Sequence, residues 1–344
     1  MTTACLTHTS FTHHDFAQHP EQAGRIEAVW RQFGDTGLAD QLLHLKPAAA
    51  TDEQILAAHR PEHLSRLKAV AQGSRVVRLD HDTYALPISL DVARLAAGAV
   101  IGAVDAVLSA RANNALAIVR PPGHHATPDR AMGFCLLNNI AIAARHAQSR
   151  HGIAKVLILD YDVHHGNGTQ DVFYSDPAIL FISIHQSPFY PGNGDLDEIG
   201  EGAGRGSTLN IPLSAGHGDE SYRQIFAEVV APAAEGFNPD LMLISAGFDA
   251  HWVDPLASMQ LSLAGYDHLA RECIKLAERL CDGRIVFVME GGYDLQALAH
   301  GWRNIAGACL GLDDISDPYG APRSSYAAPS IKPLANELRR LHGL

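Results

Sequence analysis

Five short apolar runs constrain this chain more than any other feature. They are ALAIV (115–119), KVLILD (155–160), ILFISI (179–184), DLMLIS (240–245) and RIVFVME (284–290). Each is closed by a polar or glycine-rich turn and followed by a helical pattern. Apolar runs without polar alternation read as strands buried on both faces, and their alternation with helices makes the strands parallel. Helices are expected over 89–110, 138–150, 219–236, 262–282 and 296–310. The fold class is therefore α/β, with a parallel sheet covered on both sides. No linker or internal repeat divides residues 1–344, so one domain is expected. Within it, residues 311–344 form a C-terminal tail, and KPLANELRRLHGL a closing helix packed on the rest.

Bulk properties narrow the function by exclusion. A net charge of −12 argues against direct nucleic-acid binding through a basic surface, while leaving a cationic substrate open. The five cysteines contain no CxxC pair, so neither a disulfide framework nor a cysteine zinc site is expected. The longest apolar stretch, LAAGAVIGAV (95–104), is too short to span a bilayer and reads as a core helix packed through small residues. With no signal peptide read at the start, a cytoplasmic protein without membrane contact is expected. A homodimer or homotetramer is compatible with all of this.

Ligands of open parallel sheets bind at the carboxyl ends of the strands, and the densest polar clusters fall there. His124 and His125 follow one strand, Asp160, Asp162, His164 and His165 a second, Asp249 and His251 a third, and Glu290-Gly-Gly-Tyr293 a fourth. Asp162 and His164 are two apart and project the same way from an extended segment. Asp249 can complete a set of two carboxylates and one imidazole suited to a catalytic metal. A capped turn or salt bridge is the competing reading for Asp162 and His164 alone. The His124-His125 pair follows a rigid Pro-Pro-Gly turn and supplies an acid or base near neutral pH. Asp160 and Asn167 are available to orient these imidazoles. Tyr293, behind two glycines, can donate to a developing oxyanion.

Taken together, RPPGHHA, DYDVHHGNGT, AGFDAHWVDPL and EGGYD resemble the zinc-dependent histone deacetylase superfamily, which includes acetylpolyamine amidohydrolases and acetoin-utilisation proteins. The resemblance runs from HPEQAGRI (19–26) to about residue 310. It implies an arginase/deacetylase fold with a central eight-stranded parallel sheet. It implies zinc on Asp162, His164 and Asp249; iron(II) could replace zinc in such a ligand set, because affinity order alone does not settle occupancy. It implies His125 as general base and acid, His124 as its electrostatic partner and Tyr293 on the acetyl carbonyl. It also implies structural potassium, one ion near Asp160, Asp162, His164, Ser183 and Ile184, another near Phe173, Asp176 and Ile179. A narrow channel would run between Phe134, with Gly133 before it, and Phe189.

Two positions refine the subclass. Asn167 stands where class I deacetylases carry aspartate, which makes the sequence look like class II. Leu256 stands where animal-type polyamine deacetylases carry a gatekeeping glutamate, which weakens a polyamine substrate. Asp82, in HDTYALP, is a candidate contact to the substrate amide from the rim, with a helix cap as the competing reading. The expected activity is hydrolysis of N-acetyl-lysine amides in peptides or proteins, sensitive to hydroxamates. The rivals are a small acetylated amine as substrate, a binuclear manganese ureohydrolase, and a non-catalytic acyl-lysine binder.

Overall fold

The computed structural model describes residues 1–322 and 329–344. Among the described residues ten strands are formed: β1 (Thr3–Leu6), β2 (Leu43–Leu45), β3 (Val77–Arg78), β4 (Tyr84–Ala85), β5 (Asn114–Ala117), β6 (Val156–Asp160), β7 (Ile179–Gln186), β8 (Thr208–Leu213), β9 (Leu241–Ala246) and β10 (Ile285–Met289). Eight of them build one sheet in the order β2-β1-β5-β10-β9-β6-β7-β8, parallel at every pairing. The remaining two, β3 and β4, pair as an antiparallel hairpin. Each of the five runs read from the sequence holds a strand of the main sheet, and each of those strands is buried along its length.

Three sheet strands escaped the reading of apolar runs, each for a physical reason. β1 is four residues long and β2 three. β8, TLNIPL, carries Thr208, Asn210 and Pro212, a composition tolerated because it is the edge strand beyond β7.

The helices are α1 (Gly24–Asp35), α2 (Asp52–Leu56), α3 (Pro61–Ala71), α4 (Ser89–Leu108), α5 (Asn139–His151), α6 (Asn167–Phe173), α7 (Asp219–Ile225), α8 (Ala231–Phe237), α9 (Leu263–Cys281), α10 (Leu295–Leu310) and α11 (Lys332–His342). They cover both faces: α4 packs with α5, while α10 packs with α1 and α9. α4 lies close because Gly98 permits it. A Cβ there would stand 1.7 Å from the Ala48 carbonyl oxygen. The helix expected over 219–236 is broken by a π-helical turn at Phe226–Val230. Pro232 follows at once; lacking an N–H, it cannot complete the regular ladder there.

The tail segment 311–320 is tied to the helices. Arg271 donates to the Leu312 carbonyl (2.7 Å), and the Asn304 amide pairs with the Ser316 backbone. α11 buries Ala335 and Leu338 and lies against β8. Part of the tail expected over 311–344, residues 323–328, lies outside the described residues. No helix among the described residues is long and apolar enough to cross a membrane.

The sheet order matters most for function. β5, β10, β9 and β6 are consecutive neighbours, so the four polar constellations emerge side by side at one end of the sheet.

Candidate active site

Asp162, His164 and Asp249 meet just beyond β6 and β9. Their ligating atoms lie within 4.8 Å of one another, and all three residues are buried. Nδ1 of His164 is 3.1 Å from Oδ1 of Asp162 and 3.2 Å from Oδ2 of Asp249. An imidazole nitrogen facing two carboxylates either carries a proton or gives its lone pair to a cation. Burial opposes the proton, but hydrogen bonds to Asp162 and Asp249 outweigh it and push the His164 pKa to about 10. A divalent cation between the same atoms would take the place of that proton, and an oxygen-and-nitrogen donor set of this kind fits zinc or iron(II).

Backbone N–H groups orient these carboxylates. Gly291 and His164 donate to Asp162 (2.7 and 2.9 Å), and Val163 donates to Asp249 (2.9 Å). Gly291 approaches so closely that a Cβ would stand 2.2 Å from Oδ2 of Asp249. That explains one of the two glycines in front of Tyr293.

The two histidines of the Pro-Pro-Gly turn are partnered differently. Nδ1 of His124 donates to Oδ2 of Asp160 (3.0 Å), and Nδ1 of His125 to the amide oxygen of Asn167 (2.8 Å). Burial opposes charge on both. At His124 the carboxylates of Asp160, Asp162 and Glu290 outweigh burial and push the pKa to about 10. At His125 burial dominates, aided by the neighbouring His124 and His164, and the pKa falls well below the ordinary range. One imidazole is thus held charged and the other neutral, 4.0 Å apart between ring centres.

Phe134 and Phe189, both half-buried, stand on the aromatic perimeter. Phe134 meets Tyr293 edge-on at 5.8 Å, and Phe189 stacks on His164 at 5.1 Å. Gly133 (φ +55°) and Phe134 (φ +69°) both adopt left-handed backbone, and a Cβ on Gly133 would stand 2.3 Å from Cδ2 of His125. Asp82 is exposed in the β3–β4 turn; the adjacent Thr83 hydroxyl accepts from the Phe134 N–H (3.0 Å). Asp82 therefore caps no helix, and the competing reading of it falls. Leu256 is half-buried, with its N–H on Asp254 (3.0 Å).

Of the expected potassium residues, Asp160 and Ser183 are register partners on β6 and β7, with Ile184 next along. Phe173, Asp176 and Ile179 mark two successive turns that lead from the end of α6 to the start of β7. His165 and His251 stand apart from the metal-ligand set. His165 is bound by Asn193 (3.0 Å) and Gln170 (3.1 Å), and His251 packs against Trp252 and Tyr319. A further His/Asp group, Asp105 with His146 and His151, lies on α4 and α5. One oxygen of Asp105 accepts from both imidazoles, which satisfies the group internally.

Several residues of the site were not singled out from the sequence. Tyr190 lies edge-on to His125 (5.2 Å) and His164 (6.1 Å), as close to the histidines as Phe189. Arg25 donates to the carbonyls of Glu290 (2.5 Å) and Gly292 (2.8 Å) and lies 5.0 Å over the Tyr293 ring. Glu21 in turn binds Arg25 and Arg120, all three buried. Glu290, which the sequence did place at a strand end, accepts from the N–H groups of Gly123 (2.7 Å) and His124 (3.2 Å), tying β10 to the histidine turn. Asp254 accepts from the N–H of Tyr293 (2.7 Å). The available signal was a second charge inside motifs already singled out: Arg25 in HPEQAGRI, Asp254 in AGFDAHWVDPL, Arg120 ahead of Pro-Pro-Gly.

The histone deacetylase domain model matches residues 19–309. The chain belongs to the histone deacetylase family. Within that family it is 40% identical over 335 residues to histone deacetylase 14, chloroplastic, of Arabidopsis thaliana, covering 93% of this chain and 79% of that one. It is 43% identical over 278 residues to a histone deacetylase-like amidohydrolase of Pseudomonas aeruginosa, covering 80% and 72%. The crystal structure of the HDA15 HD domain superposes with a TM-score of 0.89 at 35% identity, over 99% of this chain and 94% of that one. The eight-stranded parallel sheet is thus that of the arginase/deacetylase fold, and family membership supports an enzyme of the deacetylase and amidohydrolase kind.

Proposed function

We propose that the chain is a zinc-dependent deacetylase that hydrolyses the amide of N-acetyl-lysine in peptides or proteins to acetate and a free amine. The observation that carries this reading is a buried Asp162/His164/Asp249 set beside two buried histidines, one bonded to the Asp160 carboxylate and the other to the Asn167 amide. A divalent ion bound there would supply Lewis acidity to the acetyl carbonyl and lower the pKa of water.

The chain's own residues do the rest. Asn167 accepts the Nδ1 proton of His125, which leaves the Nε2 lone pair to take a proton from the attacking water. As the carbon–nitrogen bond breaks, the same Nε2 returns that proton to the departing amine. His124, charged and tied to Asp160, stabilises the negative charge gathering on the acetyl group. The Tyr293 hydroxyl donates to the carbonyl oxygen. Phe134, Phe189 and Tyr190 would flank the methylenes of the acyl-lysine stem.

Potassium is assigned from the resemblance, supported by the pairing of buried Asp160 with buried Ser183. The free, buried cysteines suit a reducing compartment such as the cytoplasm. A small acetylated polyamine is the second reading, favoured by the half-buried Asp80 and the exposed Asp82 of the β3–β4 turn beside Phe134. Against it stands Leu256, which offers no counter-charge to a cationic backbone.

The test is steady-state deacetylation by the zinc-loaded protein on acetyl-lysine peptides, acetylputrescine and acetylspermidine, with and without a hydroxamate. Hydroxamate-sensitive turnover favouring the peptides is expected. Turnover favouring the polyamines would reverse the substrate assignment, and none on any substrate would remove the reading.

A further inference from the structure

The loop that carries Tyr293 has little to hold it from within. Gly291 can bear no side chain against Asp249, and Gly292 (φ +113°) sits in backbone that favours glycine. A tyrosine behind two glycines needs an external tether if its hydroxyl is to stay within hydrogen-bond reach of a substrate oxygen.

Asp254 supplies that tether. It is buried and lies on the β9–α9 loop, five residues beyond Asp249. Its Oδ2 accepts from the N–H of Tyr293 (2.7 Å) and of Asp294 (3.3 Å), and its Oδ1 accepts from the N–H of Leu256 (3.0 Å). Asp294 is in turn the N-cap of α10, accepting from the Ala297 N–H (2.8 Å). One carboxylate thus fixes the Tyr293 peptide between the loop that supplies Asp249 and the first turn of α10. Arg25 grips the opposite side through the Gly292 carbonyl.

We propose that Asp254 is a positioning residue for Tyr293, setting where its hydroxyl meets the substrate carbonyl; this rests on the deacetylase reading above. Asp254 touches no reacting atom. It acts by removing the freedom that the two glycines allow, and it links that placement to the Leu256 backbone at the same time. In Asp254→Asn one oxygen becomes an NH₂ group: turned towards Leu256 it costs one N–H its acceptor, and turned towards Tyr293 and Asp294 it costs two.

A double-mutant cycle with Tyr293→Phe tests this. Asp254→Asn in the wild-type background should lower kcat by roughly 10- to 100-fold, with KM little changed, as expected for a misplaced catalytic group. In the Tyr293→Phe background the same substitution should cost less than about threefold, because the hydroxyl it positions is already gone. Equal losses in both backgrounds would overturn the proposal and make Asp254 a general structural residue. If Tyr293→Phe alone leaves turnover unchanged, the deacetylase role of Tyr293 fails instead, a different result from failure of the tether. Should Asp254→Asn not fold, Asp254→Ser keeps one acceptor and completes the cycle. Failure of both to fold would place Asp254 in the fold alone and overturn the proposal.

Discussion

The imidazole of His125 rests on an uncharged partner: its Nδ1 lies 2.8 Å from the Asn167 amide oxygen. The amide fixes the tautomer without the charge a carboxylate would add. Asn167→Asp should therefore raise the pKa of His125, because an adjacent anion favours the protonated ring. As the base must be unprotonated to act, the acid limb of the kcat/KM profile should move to higher pH, by about one unit. An unshifted limb would separate His125 from that limb.

Tyr293 is expected to bear on the carbonyl oxygen. Tyr293→Phe should lower kcat by roughly 10²–10³, the usual cost of an oxyanion donor. Metal content should be unchanged. Wild-type turnover in this variant would remove Tyr293 from the mechanism.

Metal should follow the ligand set. Asp162→Ala should abolish the binding of about one divalent ion per chain, as measured by elemental analysis after dialysis. Retention of the ion would exclude Asp162 as a ligand.

Gly133 meets His125 too closely for any side chain. With a Cβ 2.3 Å from Cδ2 of that ring and φ at +55°, Gly133→Ala must displace the imidazole. Turnover should fall more than about tenfold, since small misplacements of a catalytic group are costly. The metal should stay bound. Full activity in Gly133→Ala would show that His125 needs no such placement.

Glu21 links pH to stability. Burial opposes its charge, but Arg120 and Arg25 outweigh burial and hold its pKa at about 2, down from 4.5. A depressed carboxyl contributes stability that is complete above its unfolded pKa and lost as pH falls through its folded one. The contribution, on the order of 3 kcal/mol, should disappear between pH 4.5 and about 2. Denaturation midpoints of wild type and Glu21→Gln should therefore converge across that window. A difference independent of pH would contradict the linkage.

Much of this was legible in the sequence because burial leaves a clear mark. Strands hidden on both faces, such as KVLILD and DLMLIS, read directly as apolar runs. β8 did not, because an edge strand tolerates Thr208, Asn210 and Pro212. The polar clusters were legible as strand-end residues, but their convergence depends on β5, β10, β9 and β6 being neighbours, and strand order leaves no local trace. The supports were the least legible. Asp254 and Arg25 act through backbone N–H and carbonyl groups of a distant loop, a partnership that no spacing encodes. Tyr190 was overshadowed by Phe189, its neighbour in sequence, because the direction of a loop side chain has no period to follow.

The most direct test of the central claim is acetate release from an acetyl-lysine peptide by the zinc-loaded protein, run beside Asp162→Ala. The account predicts one acetate per free amine from the wild type and none above background from the variant. Equal release from both, or none from the wild type, would contradict it.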